Sequence, residues 1–158
     1  MKLQERLMLR GDFRALIREA DKVVWEYHDP NLIVNAAKDA LAQLISVIGA
    51  SSYVIQYFAM GDGHHAVGDI LTPVDPTATE TALENELFRK SITSVTYPAS
   101  GQVQFNTIIE RTEANGSGSQ YYTEAGLFSD AGMFSIKSFP AMVKNADREF
   151  EFNWKIIF

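Results

Sequence analysis

Residues 81–128 read TALENELFRKSITSVTYPASGQVQFNTIIERTEANGSGSQYYTEAGLF. Two alternating strand patterns flank the PASG turn at 98–101, and a second turn rich in Gly and Ser leads into the segment at 122–128. The stretch contains no phosphate-binding loop and no nucleophile motif. It therefore indicates an antiparallel β structure that presents an interaction surface rather than a reaction centre.

Further strand patterns lie on both sides of this stretch. The last is the clearest, because Phe150, Phe152 and Trp154 alternate with polar residues, as expected of a strand with one buried face. An Asp-Ala-Gly sequence at 130–132 predicts a tight hairpin between two strands. The six predicted strands cover residues 53–60, 87–97, 102–113, 121–129, 132–139 and 148–158.

Two helices are predicted ahead of the strands. The first covers residues 3–28, where apolar residues recur in steps of four and three, and the second covers 31–49, with Asn31 as its N-cap and Gly49 as its stop. Strands with short connections and no interleaved helices favour an antiparallel arrangement. The predicted fold class is α+β, with two N-terminal helices followed by an antiparallel β-sandwich or flattened barrel of about six strands. Residues 1–29 would form a docking helix, and 30–158 the compact module.

Composition excludes several function classes. The chain has 158 residues, a net charge of -6 and a pI of about 5.0, so non-specific attraction to nucleic acid or anionic lipid is not expected. It contains no cysteine, which excludes disulfides, thiolate metal sites and cysteine catalysis. The charged N-terminus and the short apolar runs predict a protein made in the cytoplasm, without membrane insertion.

The predicted N-terminal helix carries the candidate partner interface. Arginines recur every four residues and would form a ridge beside an apolar stripe. This ridge is either a solvated face with local ion pairs or a docking surface for an acidic partner, and both interpretations stay open. The candidate interface residues are Leu9, Phe13, Leu16 and Val23 of the stripe, with Arg6, Arg10, Arg14 and Arg18 of the ridge.

Candidate chemistry is sparse. His64 and His65 follow Asp62 in a long acidic loop at 62–82, where a metal ion or a glycan is conceivable, although the spacing of known metal sites is absent. A carboxylate pair for acid–base catalysis would have to come from Glu110, Glu113 and Glu124, with no visible mechanistic partner. We therefore predict no catalytic, cofactor-binding or metal-ligating residues and no enzymatic activity.

Several motifs resemble a family of bacteriophage tail proteins when they are taken in order. They are NLIVN at 31–35, GDG at 61–63, TALENE at 81–86 leading to FRK at 88–90, EANG at 113–116, TEAGLF at 123–128 and the closing FNWKIIF at 152–158. Over residues 31–158 the chain is similar to the N-terminal, particle-proximal domains of tail-fibre and tail-collar fibre proteins of contractile-tailed phages.

The resemblance implies a non-enzymatic virion structural protein of the tail or baseplate. Its expected partners are other tail, baseplate or fibre proteins, with multiple copies in a symmetric assembly. The N-terminal helix and the end of the sequence at the closing strand favour an adaptor that attaches fibres or joins baseplate subunits. A carbohydrate- or receptor-binding β-sandwich is the alternative, and a cell-wall hydrolase is a third possibility.

Overall fold

A computed structural model describes residues 9–46 and 51–158. The first of these ranges opens with a β-hairpin, in which residues 11–19 pair with residues 22–31 and the chain turns at Ala20 and Asp21. Both turn residues have positive φ, 46° and 64°, as a two-residue hairpin turn requires. The helix predicted over 3–28 is therefore wrong for residues 10–28, and residues 3–8 lie outside the described ranges.

The described chain contains eleven strands and one α-helix. The helix α1 covers Asn35–Ser46, and residues 51–53 form a single 3-10 turn. The strands are β1 (Arg10–Glu19), β2 (Lys22–Ile33), β3 (Tyr57–Gly61), β4 (His65–Ala66), β5 (Asp69–Pro73), β6 (Glu86–Ser91), β7 (Ser94–Thr96), β8 (Gln102–Ile109), β9 (Ser119–Ser129), β10 (Gly132–Asn145) and β11 (Arg148–Ile157).

Nine of the strands form one curled sheet, in the order β6-β3-β9-β10-β2-β1-β11-β8-β7, and β4 and β5 form a small separate hairpin. The strands at the two ends of this order are consecutive in the chain. Between them, Ile92 N donates to Gln56 O and Thr93 N to Asn106 O, both at 2.9 Å. Residues 86–96 thus join the two ends of the sheet, so that one segment pairs with β3 in its first half and with β8 in its second.

The predicted fold class is wrong, because the chain is mostly β with a single helix and a nine-stranded curled sheet. The second predicted helix is confirmed only over 35–46. Asn31 lies inside β2 rather than at an N-cap, and Gly49 lies outside the described residues. The proposed boundary after residue 29 also falls inside β2. The predicted loop at 62–82 contains the β4–β5 hairpin, whereas the closing strand and the 130–132 hairpin are confirmed.

The helical prediction rested on apolar steps of four and three, and the arginine spacing of four did not contradict it, because that spacing fits both a helix and a strand. Four is a multiple of two, so Arg10, Arg14 and Arg18 also share one face of a strand. The residues between the arginines distinguish a strand from a helix, since Phe13, Ala15 and Ile17 are all buried on the other face. The strand buries this alternating set against the sheet, whereas a helix would have spread the three residues around its axis.

Phe13 lies at the centre of an aromatic core. Its ring stacks on Phe139 at a centroid distance of 5.6 Å and meets Trp154 edge-to-face at 4.8 Å. The ring centroid of Phe152 lies 5.9 Å from that of Phe13, and the ring centroid of the half-buried Tyr27 lies 6.3 Å from it. Such aromatic pairs add to the free energy of burial and restrict how the strands can pack. The first hairpin is therefore part of the core rather than an appendage.

Truncating this ring tests the position of the hairpin. Phe13→Ala should lower the free energy of unfolding by about 3–5 kcal/mol, because it removes a fully buried phenyl group from a packed core. Val67→Ala is the control, since Val67 is fully exposed, and it should change that free energy by less than about 0.5 kcal/mol. Denaturant unfolding measures both. Equal and small changes in the free energy of unfolding for the two variants would contradict the position of Phe13 in the core.

Candidate functional site

Three of the motif segments converge at the middle of β9. In the ladder between β3 and β9, Gly61 lies opposite Glu124, and the chain then leaves β3 through Asp62 and Gly63. The segment before β6 returns to the same place, where Asn85 O accepts a hydrogen bond from Asp62 N at 3.2 Å. The GDG, LENE and TEAG sequences, which are far apart in the chain, therefore form one site.

The Glu124 carboxylate is the centre of this site and is fully buried. Oε1 accepts hydrogen bonds from Gly63 N at 3.1 Å and Asn85 N at 2.8 Å. Oε2 accepts one from Glu84 N at 3.0 Å and lies 2.6 Å from His64 Nδ1. Four donors from two loop segments thus surround one carboxylate, which is the condition under which a buried charge is tolerated.

His64 lies between carboxylates. On the side away from Glu124, its Nε2 is 2.9 Å from Oε2 of Glu80, an ion-pair distance. Its backbone N donates to Oε2 of Glu84 at 2.5 Å, and the same oxygen is 3.8 Å from Nδ1. The residue adopts a positive φ of 52°, which turns the imidazole back into the site. We call the side chains of Glu124, His64, Glu80 and Glu84 the Glu124 cluster.

The charges of the cluster support one another. The hydrogen bond with Glu124 raises the pKa of His64 to about 9, which burial of the ring opposes and Glu80 reinforces. Burial pushes the pKa of Glu124 upward, but the hydrogen bonds from His64 and from the amides of Asn85 and Glu84 outweigh it, so the pKa lies below its ordinary value. At neutral pH the pair is an imidazolium and a carboxylate.

Two glycines make room for these contacts. A Cβ at Gly61 would lie 2.1 Å from Asn85 O, and a Cβ at Gly63 would lie 2.7 Å from Glu124 Oε1. Neither glycine has a positive φ, so the requirement is for space rather than for backbone freedom. The neighbouring Thr123 hydroxyl donates to Gly63 O at 2.6 Å and fixes the turn from the other side. The GDG sequence is thus explained by close packing against Glu124 and Asn85.

The cluster is arranged to hold loops rather than to react. Both ring nitrogens of His64 face carboxylates, so a protonated ring has no lone pair for a metal or a substrate proton. His65 does not join it, because its Nδ1 lies 2.9 Å from Ala66 O and its ring packs against Tyr121. Within residues 9–46 and 51–158 no three His, Asp or Glu side chains are placed to hold a metal ion.

The other candidate carboxylates lie elsewhere. Glu113 pairs with Lys90 Nζ at 2.7 Å and accepts a hydrogen bond from Glu110 N at 2.9 Å. The fully buried Lys144 of β10 reaches this turn, and its Nζ donates to Arg111 O and to the Asn115 side chain. Glu110 and Glu113 therefore close the turn after β8, and they share no hydrogen-bonded group with Glu124.

The predicted partner-interface residues are divided between the core and the surface. Phe13 and Leu16 are buried, Leu9 packs partly against the core, and Val23 is 45% exposed. The three arginines within the described residues lie on one face of β1, with Arg14 bonded to Glu26 and Arg18 to Glu151, each at 2.7 Å. Arg6 lies outside the described ranges. A continuous apolar stripe bordered by arginines is therefore not formed on the described surface.

An apolar groove lies between the end of α1, the 3-10 turn and the ends of β7, β8 and β11. It encloses about 290 Å³, and aromatic residues on its lining are Tyr53, Tyr97, Phe105, Phe134 and Phe158. Tyr97 is 77% exposed and Phe158 is 51% exposed, so two of these rings are available to a ligand. This groove is the second candidate site.

Sequence reasoning missed two participants in the charged sites. Glu80 is one of several acidic residues in the loop predicted over 62–82, and Lys144 lies between the strands predicted over 132–139 and 148–158. A weak signal existed for Lys144, because it follows Met142 and Val143 in an apolar run where a charge needs buried acceptors. Glu80 carries no such signal, since its contact with His64 depends on the path of the loop.

Replacing the central carboxylate tests its structural role. Glu124→Gln leaves one oxygen for four donors and turns an amide N–H₂ toward two of them. It should lower the free energy of unfolding by about 3 kcal/mol. Glu86→Gln is the matched control, because Glu86 is exposed and, in the part of the chain that the structure describes, pairs only with Arg89. It should cost less than about 1 kcal/mol. Chemical denaturation at pH 7 measures the difference, and similar costs would contradict a central role for Glu124.

The pH dependence of stability provides a second test. The pKa of His64 is raised by folding, so its contribution is complete below the ordinary value of 6.5 and is lost as the pH rises toward about 9. Relative to His64→Gln, the wild-type chain should therefore be most stabilised near pH 6 and should lose that advantage by pH 9 to 10. A difference that stays constant across this range would show that His64 is not protonated in the fold.

No protein-family model, curated protein or solved structure matches this chain. None of the helices in the described part has the length and apolar character needed to cross a membrane. The geometry of the Glu124 cluster and of the aromatic groove is therefore the basis for the functional argument that follows.

Proposed function

We propose that the chain is a non-enzymatic structural protein of a phage tail or baseplate, acting as an adaptor that attaches tail fibres or joins baseplate subunits. The observation that carries the proposal is the Glu124 cluster. Three of the motifs on which the resemblance to tail-fibre and tail-collar proteins rests meet there, although Gly63 and Glu124 are separated by 61 residues.

The chemistry of the cluster suits a structural component. The Glu124 carboxylate and both ring nitrogens of His64 are engaged by one another, by Glu80 and by backbone amides, and the hydroxyl of the adjacent Thr123 is bonded to the backbone. The result is a firm attachment of the 62–85 excursion to the sheet, at Gly63, Glu84 and Asn85. An adaptor between neighbouring subunits needs loops that keep their shape, because mobile loops would have to be ordered on assembly at a cost in free energy.

The outer face of the first hairpin offers a surface for such contacts. Ion pairs and side-chain hydrogen bonds cross from β2 through β1 to β11, including Arg14 with Glu26 and Asp12 with His28 at 2.7 Å. Exposed pairs of this kind add little to folding stability, but they can select a partner by charge. Repetition around a symmetric tail would then multiply modest single contacts.

A carbohydrate- or receptor-binding module is the second candidate, and the aromatic groove favours it. Exposed rings such as that of Tyr97 stack on the apolar faces of sugars, although the groove offers few polar groups to orient a sugar. This candidate predicts binding by the isolated chain and no fixed place in a particle.

The deciding experiment is peptide mass spectrometry on purified tail particles of the phage that encodes the chain, with copy number measured against the tube protein. We expect a fixed, low multiple that matches the tail symmetry. A non-structural phage protein carried through the same purification is the control for contamination. Recovery of the chain only in the soluble fraction would overturn the tail proposal and make binding of surface glycans the leading function.

A further inference from the structure

Lys144, near the end of β10, is a buried nucleophile that the proposed function does not use. Its side chain is fully buried and lies on the same face of the strand as Met142, which belongs to the core. Its Nζ donates to three neutral oxygens, which are Asn115 Oδ1 at 2.8 Å, Asn145 O at 3.0 Å and Arg111 O at 3.2 Å. Among the described residues no carboxylate lies at ion-pair distance from it, although a buried lysine usually has such a partner.

The side-chain amide of Asn115 is held against this amine by both of its polar atoms. Oδ1 accepts the hydrogen bond from Lys144, and Nδ2 donates to Arg111 O at 2.7 Å. The same carbonyl oxygen of Arg111 thus accepts hydrogen bonds from the amine nitrogen and from the amide nitrogen. Because a carbonyl bond is about 1.2 Å long, Nζ lies at most about 4 Å from Cγ of Asn115. A small movement brings the two atoms to the separation of about 3–3.5 Å that precedes bond formation.

The turn that contains Asn115 is fixed in this position. Ala114 O accepts a hydrogen bond from the Tyr122 hydroxyl at 2.9 Å, and Asn115 O accepts one from Gly118 N at 3.0 Å. Ala114 has a positive φ of 58°, which is uncommon for alanine and needs the surrounding contacts to maintain it. Tyr122 is itself buried. The amine and the amide are therefore held together by a turn that packs on the core.

Burial also favours the reactive form of the amine. It lowers the pKa of Lys144 below its ordinary value, and the charges of Glu113, Glu149 and Glu110 oppose this only in part. The neutral amine is the form that attacks a carbonyl carbon, and removal from water is one way in which proteins activate a lysine. Lys137 of the same strand differs, because its Nζ pairs with a carboxylate.

We propose that Lys144 and Asn115 react with each other to form an intramolecular isopeptide bond. Nζ attacks Cγ, the bond between Nζ and Cγ forms, and the bond between Cγ and Nδ2 breaks. The lysine ammonium loses two protons, and the departing amide nitrogen takes up two and leaves as ammonium. Atoms and charge balance without an oxidant or another reactant. The inference goes beyond the proposed function and does not depend on it, because both groups belong to one chain.

The bond would give the chain a covalent crosslink that its composition otherwise lacks. The sequence contains no cysteine, so no disulfide can form. Residues 115 and 144 are 29 positions apart, and the turn between β9 and β10 lies within the loop that the bond closes. A crosslink of this kind limits the conformations of the unfolded chain and thereby stabilises the folded one.

Intact-mass spectrometry of the full-length wild-type chain tests the reaction. After incubation at neutral pH until the mass is constant, the mass should be lower than that of the sequence by one ammonia molecule. Trypsin should then release residues 112–137 joined to 138–148 through Asn115 and Lys144, without cleavage after Lys144. Lys137 is the internal control, because trypsin should cleave after it completely. A mass equal to that of the sequence would overturn the proposal.

A competing reaction also releases ammonia, because Gly116 N can attack the same amide carbon and form a succinimide. That product, or the aspartate formed by its hydrolysis, gives a linear 112–137 peptide and normal cleavage after Lys144, and this result would overturn the proposal. The matched variant Lys144→Arg keeps the positive charge and the donors but removes the amine, so it should lose no ammonia. The digest of the wild-type chain decides between the two products even if this variant does not fold.

Discussion

A carboxylate that is wholly removed from water needs a partner for each of its lone pairs, and this requirement organises one end of the molecule. Glu124 is held in the middle of a sheet, between β3 and β10. Its partners come from the loops that leave and re-enter the neighbouring strands, so the loops must return to it. Without those donors, burial of the charge would cost more than most single interactions can offset.

The need to surround the Glu124 carboxylate with donors also explains the identity of the residues around it. Gly61 and Gly63 are glycines because the backbone of Asn85 and the carboxylate of Glu124 occupy the space of a side chain. His64 provides the positive charge, and Glu80 balances it from the far side. A catalytic site would leave one of these groups free to bind a substrate. Here Glu124 lies against four donors and both ring nitrogens of His64 face carboxylates, which is the physical reason that we favour an assembly role.

The rest of the molecule is built around a different constraint, the packing of aromatic rings between the two halves of the curled sheet. Phe13, Phe152 and Trp154 come from adjacent strands, and Phe139 and Phe58 come from the opposite half. The segment 86–96 joins the ends of the sheet, so one of its edges is covered by the chain itself. Within the described residues β2 pairs with β10 only at Leu32 and Ile33, so residues 22–31 have a ladder partner on one side, β1.

The sequence by itself determined the local features that depend on neighbours in the chain. The alternation in β11 and the tight turn at 130–132 specify their structures through side-chain periodicity and turn geometry. The sequence also contains the motifs that meet at Glu124, but it does not show that they lie together in the fold.

Only the tertiary structure decided the conformation of residues 10–33. The arginine spacing of four satisfies a helix and a strand equally, and the apolar steps of four and three favour a helix. The strand is formed because the sheet covers Phe13, Ala15 and Ile17. The pairing of His64 with Glu80 was likewise undetermined, because it depends on the path of a long loop. Contacts between residues that are distant in sequence depend on which surfaces are buried against each other in the fold. A local sequence pattern does not contain that information.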